Sequence, residues 1–295
     1  MSRARAPVAL LTGAAGQLGR ALQATAPKTW RVIACDAAAL DVTRPEAVEE
    51  VVRRERPALI VNAGAYTAVD AAERETERAE AVNSAGAAHV AEAAKLAGAR
   101  LIHVSTDYVF DGAQARPYGP ADRPRPLGVY GRTKLAGERE VTRISGGSAL
   151  IVRTSWLYSA YGRNFVLTML RLMRERDTIG VVADQVGSPT WARGLAETIW
   201  MAADAPGLKG VHHWADAGVA SWFDFAVAIQ EEALALKLLP RAVPIRPLRT
   251  DEYPTDARRP AYSVLERSAA LAGLGVPVRH WREQLRAMLR EVAPA

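Results

Sequence analysis

The chain of 295 residues is 49% hydrophobic and 24% charged, an ordinary globular composition that excludes a disordered or fibrous chain. No apolar run approaches the roughly 20 residues a membrane-spanning helix needs, and no membrane partner is expected. The charge of +6 invites an anionic partner, but the 38 basic residues are scattered among 32 acids without a basic tail, so nucleic acid is not expected.

The single cysteine, Cys35, excludes an internal disulfide and reads as a small buried hydrophobe. No Cys/His cluster has metal-ligand spacing, and no metal is expected; the adjacent His212 and His213 suit a strand. Residues 1–7 carry two arginines and no signal-type apolar stretch, so a cytoplasmic location is expected.

In chain order, short apolar runs at 8–12, 31–36, 58–62, 100–105 and 149–154 read as buried strands of a parallel sheet. Helical patterns at 17–26, 45–56, 77–97 and 130–143 lie between them, with Thr43 and Glu46 spaced as a capping box and Gly98 as a helix stop. This alternation predicts an α/β fold, a doubly wound Rossmann-type parallel sheet over residues 1–155. Beyond Trp156 the pattern loosens into helical stretches at 164–176, 191–203, 222–239 and 281–292, separated by loops rich in Pro, Gly and Asp. Residues 156–295 are therefore expected to form mainly a smaller, discontinuous C-terminal substrate lobe, with segments returning to the sheet.

Residues 12–19 read T-G-A-A-G-Q-L-G at the first strand–helix junction. Gly13, Gly16 and Gly19 permit a tight turn and close backbone approach to a pyrophosphate, whose charge faces the N–H groups opening the helix. Asp36, at the end of the second strand, is placed to accept hydrogen bonds from the adenosine ribose. Asp41, with Val42 beside it, could instead reach the adenine edge. With only alanines at 37–39, Asp36 favours NADH at least equally with NADPH, because the carboxylate repels a 2′-phosphate.

Tyr130 and Lys134 form Y-x-x-x-K at a helix start, on one face a turn apart. Ketone reduction needs a proton for the developing alkoxide, and a lysine one turn away is expected to draw the phenol down toward the working range. Thr106, just past the fourth strand, supplies a hydroxyl to polarise the carbonyl. Trp156, at the exit of the fifth strand, is expected to wall the substrate pocket.

The glycine turn, Ser105-Thr106 and the Tyr130–Lys134 pair together resemble the extended short-chain dehydrogenases that act on nucleotide sugars. V-N-A-G-A-Y-T-A-V-D (61–70), S-T-D-Y-V-F-D-G (105–112), V-Y-G-R-T-K-L-A-G-E (129–138), R-T-S-W (153–156) and D-Q-V-G-S-P-T (184–190) resemble the dTDP-4-dehydrorhamnose reductase family in particular. The resemblance implies reduction of a dTDP-sugar by NADH or NADPH, with Tyr130 as proton donor and Lys134 as its partner. It implies that Gly16, Gln17 and Leu18 cradle the pyrophosphate and that Ala65, Tyr66 and Thr67 line the cofactor. Thr67, Val69, Thr106 and Asp107 would meet the sugar, with Trp156 across it. Asn164 and Arg259 are further candidates for the diphosphate of the sugar nucleotide. Some members are described as metal-bridged dimers using a glutamate where this chain has Ala21, so a monomer or weak homodimer is expected. A dehydratase would carry glutamate where Tyr108 stands. Another nucleotide-sugar reductase or epimerase, or a regulatory subunit like that of methionine adenosyltransferase, is the alternative.

Overall fold

The computed structural model describes residues 6–267, 274 and 278–293. Its first half runs β1 (Val8–Thr12), α1 (Gln17–Ala24), β2 (Arg31–Cys35), α2 (Pro45–Glu55), β3 (Leu59–Asn62), α3 (Val69–Ala72), α4 (Thr76–Glu80), α5 (Gly86–Ala97), β4 (Arg100–Thr106), α6 (Val129–Ser145) and β5 (Leu150–Thr154). It continues through β6 (Leu157–Tyr158), α7 (Phe165–Glu175), β7 (Ile179–Val182), β8 (Val186–Gly187), β9 (Thr190–Trp191), α8 (Ala192–Ala203), β10 (Gly210–His213), β11 (Ala220–Ser221), α9 (Trp222–Ala235), β12 (Ile245–Leu248) and α10 (Trp281–Val292).

Six parallel strands form the central sheet in the order β10-β5-β4-β3-β1-β2. One face packs under α1 and α8 through Leu18, Leu22, Leu195 and Ile199. The other packs under α2, α5 and α6 through Val48, Val90 and Val141. Leu10, Leu59, Ile60, Ile102 and Leu150 are at most 1% exposed, and burial of each such side chain stabilises by about 1.5–3 kcal/mol. This is the doubly wound α/β fold. The order turns back between β1 and β3, and it is there, outside the carboxyl ends of the strands, that such sheets bind ligands.

Helices α7, α9 and α10 close a separate core through Val166, Leu170, Phe225, Ile229, Leu285 and Met288. Ser221 and Asp224 cap α9 reciprocally. The later part of the chain also supplies β10, which carries His212 and His213 and extends the sheet beside β5.

Three local expectations are corrected. Strand β2 is an edge strand, with Arg31 and Ala34 exposed, because nothing pairs with its outer side among the described residues. Thr43 and Glu46 form no capping box: Arg44 is the N-cap with no side-chain bond, and Pro45 opens α2. Thr43 turns instead to Asp41. The helix expected over 77–97 is broken by a π-helical turn, Ala81–Ala85, between α4 and α5. Such turns often sit at functional sites.

Candidate active site

Thr12, Asn62, Thr106 and Thr154 end β1, β3, β4 and β5 at one edge of the sheet. Gly13 has φ +68°, and a Cβ there would lie 2.7 Å from the Gly64 nitrogen; at Gly19 it would lie 2.2 Å from the Gly13 carbonyl oxygen. Only glycine closes this turn so tightly against the loop after β3. Gly16 N-caps α1 without a side chain, so the N–H groups at the helix start face outward as an anion would need. Leu18 is buried in the core and has only its backbone to offer a phosphate. Gln17 is used differently from the expectation. Its amide oxygen accepts from Ser159 Oγ and Asn164 Nδ2, each at 3.1 Å, and its Nε2 reaches the Leu157 carbonyl at 3.4 Å. The side chain clamps the turn to the loop before α7, leaving only the backbone N–H for a ligand.

Asp36 Oδ1 accepts from the Ala38 and Ala39 amides at 3.0 and 2.9 Å, which fixes the carboxylate at the end of β2. The exposed Asp41 accepts from the Thr43 hydroxyl and amide, and these bonds hold its carboxyl below the usual range. Val42 is buried, its carbonyl bound by His89 Nδ1.

Ala65, Tyr66 and Thr67 follow β3, and Val69 opens α3. The Tyr66 amide donates to Asn83 Oδ1 at 2.8 Å, while Asn83 Nδ2 donates to the Tyr66 carbonyl and to Thr133 Oγ1, each at 3.1 Å. Asn83 lies in the π turn, and its buried amide pins this loop to α6.

Tyr130 and Lys134 lie one turn apart on α6, which packs so close to the end of β4 that a Cβ at Gly131 would sit 2.1 Å from the Tyr108 carbonyl oxygen. Burial raises the Tyr130 phenol to about 12, opposed by the nearby Thr106 hydroxyl. The Lys134 ammonium, 2% exposed, donates to the Val104 carbonyl at 2.7 Å. Burial lowers it to about 8, with the Glu138 charge opposing. The expectation that Lys134 draws the phenol down is therefore corrected for this geometry: its charge is turned to β4, and burial dominates at Tyr130.

Beneath the pair lies a polar floor that sequence reasoning missed. Arg153 of β5 donates to both Glu138 oxygens, at 2.8 and 2.6 Å, with both side chains 4% exposed. The guanidinium also stands 5.1 Å over the Phe110 ring. His213 Nδ1 meets the Tyr118 carbonyl, and burial, then the Arg153 charge, lowers its pKa to about 3. A second thread joins Thr12 Oγ1 to Asn62 Oδ1 at 2.7 Å and Asn62 Nδ2 to His103 Nδ1 at 3.1 Å. Burial, then the Lys134 charge, holds His103 well below its ordinary pKa. The signals were present: Arg153 is a charge inside an apolar strand, and Glu138 stands four residues after Lys134.

Thr106 Oγ1 donates to Asp107 Oδ1 at 3.0 Å and accepts from the Tyr108 amide at 3.2 Å. Asp107 is 2% exposed, and burial raises its carboxyl to about 7. Trp156, at φ +44°, stacks on Trp222 with ring centroids 3.5 Å apart, and its other neighbours include Gly187. The half-buried ring is thus packed on one side as well as lying at the exit of β5.

The two diphosphate candidates are engaged elsewhere. Asn164 caps α7, accepting from the Leu167 amide, and donates to Gln17. Arg259 forms a two-bond pair with Asp70 at 3.1 and 2.7 Å, placed against Tyr108. Burial pushes the Asp70 carboxyl up, but the bonds from Arg259 and the Ala257 amide hold it below the usual range.

A family profile described as RmlD substrate binding domain matches residues 8–293. A dTDP-4-dehydrorhamnose reductase of Aggregatibacter actinomycetemcomitans is 41% identical, with 94% of this chain and 96% of that protein covered. One from Mycobacterium tuberculosis is 45% identical over 97% of this chain and 93% of its own length. The crystal structure of dTDP-4-dehydrorhamnose reductase from Bacillus anthracis, in complex with NADP, is similar with a TM-score of 0.91 and 39% identity, covering 97% of this chain and 99% of that one.

Proposed function

This chain belongs to the RmlD family, and on that premise we propose that it reduces the 4-keto group of dTDP-4-dehydro-L-rhamnose to give dTDP-L-rhamnose. It is an NAD(P)H-dependent oxidoreductase of the dTDP-4-dehydrorhamnose reductase type. The observation that carries the reading is that Thr106 ends β4 at the sheet edge that carries the glycine turn, with Tyr130 close to it and Lys134 one turn along α6, in a chain matched along nearly its whole length by reductases of this name.

The residues present fit a dinucleotide: a turn that a Cβ at Gly13 or Gly19 would block, amides at a helix start, and a carboxylate fixed after β2. When bound, the nicotinamide cofactor supplies the hydride for C4 of the sugar. The Thr106 hydroxyl, which donates to Asp107 in the free protein, turns to the sugar's carbonyl oxygen and fixes its direction. Tyr130 gives its Oη proton to that oxygen as negative charge develops. A phenol raised to about 12 is wholly in its acid form at neutral pH, as the reductive direction requires. Lys134, one turn along α6 with its ammonium bound to the Val104 carbonyl, is the cation we assign to the nicotinamide ribose. Trp156 and the loop from Thr67 to Val69 form the sugar's side of the site. We place the enzyme in the cytoplasm, where nucleotide sugars are made, as a monomer or weak homodimer.

The test is oxidation of NADH and NADPH by the purified protein with dTDP-4-dehydro-L-rhamnose, the GDP analogue serving as comparison. Turnover with the dTDP sugar and little with the GDP sugar is expected, and NADH should serve at least as well as NADPH because of Asp36. A tenfold preference for NADPH, about 1.4 kcal/mol, would sink the Asp36 argument; failure to turn over the dTDP sugar would sink the substrate assignment.

A further inference from the structure

Thr106 stands between two acids. On one side its hydroxyl lies close to the Tyr130 phenol; on the other it donates to Asp107 Oδ1 at 3.0 Å. The second carboxyl oxygen, Asp107 Oδ2, is buried without a hydrogen-bond partner of good geometry, although the Ser263 hydroxyl lies close. An ionised oxygen left unpaired in that position is costly, whereas a protonated one is far less so. We propose that Asp107 is the proton reservoir of the site, restoring the Tyr130 proton through Thr106 after each reduction. The proposal rests on the reductase reading and adds to it the source of the second proton.

The step balances without any further reactant. After Tyr130 has given its proton to the sugar oxygen, Asp107 turns its carboxyl and passes the acid proton to Thr106 Oγ1. The Thr106 O–H bond breaks in turn, and its proton goes to the Tyr130 oxygen. Asp107 is left as a carboxylate that accepts from Thr106, which is the direction of the hydrogen bond in the structure. A proton from solvent then restores the acid.

The groups around the carboxyl agree with this role. Tyr108 and Tyr130 face it as neutral phenols, Thr106 and Ser263 as hydroxyls, and the guanidinium of Arg259 stands behind Tyr108, already paired with Asp70. No cation is in direct hydrogen-bond contact with Asp107 among the described residues, so burial prevails and raises its pKa to about 7.

The test is the isosteric Asp107→Asn, read in two ways. Without substrate, the infrared difference between wild type and variant should contain the carbonyl band of a neutral carboxylic acid, fading as pH rises through about 7. A carboxylate band alone from pH 5 upward overturns the proposal. With NAD(P)H and the dTDP sugar, wild-type kcat should fall above pH 7. The variant should be flat across that range and lower by about 10²-fold at pH 6, the usual size of an acid–base contribution, with cofactor Kd unchanged. A variant that keeps the wild-type kcat or the wild-type pH limb also overturns it. A wild-type protein inactive on the sugar would overturn the reductase reading and the relay with it, and the infrared arm separates the cases by showing whether Asp107 carries a proton at all.

Discussion

Two arginine–carboxylate pairs frame the site, and they do opposite work. Arg153 and Glu138 meet in the floor between β5 and α6, each 4% exposed, while Arg259 and Asp70 meet at the rim, 20% and 41% exposed. Both pairs are bidentate, and their shortest distances differ by only 0.1 Å, so geometry does not separate them. Burial does. In the floor, removal of one partner strands a charge among apolar neighbours; at the rim, water replaces the lost partner. The floor therefore holds the fold and the rigid backing of Lys134, and the rim holds what must adapt to a substrate.

The sharpest way to break this contrast is Glu138→Ala. Stranding Arg153 is expected to cost about 3–5 kcal/mol of stability, read by denaturant unfolding; a loss below about 1 kcal/mol would place the floor pair in the same class as the rim. Tyr130→Phe, just above the floor, should leave the fold and cofactor binding intact while kcat falls by at least about 10²-fold. Near-normal turnover would mean that the proton comes from another group.

Trp156→Ala probes the boundary between the two regions. It should raise the KM for the sugar while the lost stack on Trp222 costs about 0.5–1.5 kcal/mol; a larger fall in stability with an unchanged KM would move Trp156 into the floor. The smallest effect on stability belongs to Arg259→Ala, expected to stay within about 1 kcal/mol. A loss like that of Glu138→Ala would show that burial does not distinguish the pairs.

Legibility in the sequence divides along similar lines. The glycine turn, the Tyr130–Lys134 spacing and the strand–helix alternation are local patterns, and each was readable because its physics acts within a few residues. The partners of Arg153, Asn83 and His103 lie 15, 17 and 41 residues away and become neighbours only through the sheet. Asn164 and Arg259 were read as candidates for the diphosphate; in the fold one is a helix cap and the other has a carboxylate partner. The Asn164 cap could have been found, since asparagine directly before an apolar helical run is a cap signal. The positive φ of Trp156 had no such signal, for tryptophan rarely occupies that region.

The central claim is that hydride from a nicotinamide cofactor and a proton from Tyr130 together reduce C4 of the sugar. The direct measurement uses cofactor deuterated at its transferable position, with dTDP-4-dehydro-L-rhamnose, and mass and NMR analysis of the sugar product. The account predicts dTDP-L-rhamnose with a single deuterium at C4 and stoichiometric cofactor oxidation. A sugar recovered without deuterium, or isomerised while the cofactor remains reduced, would contradict it.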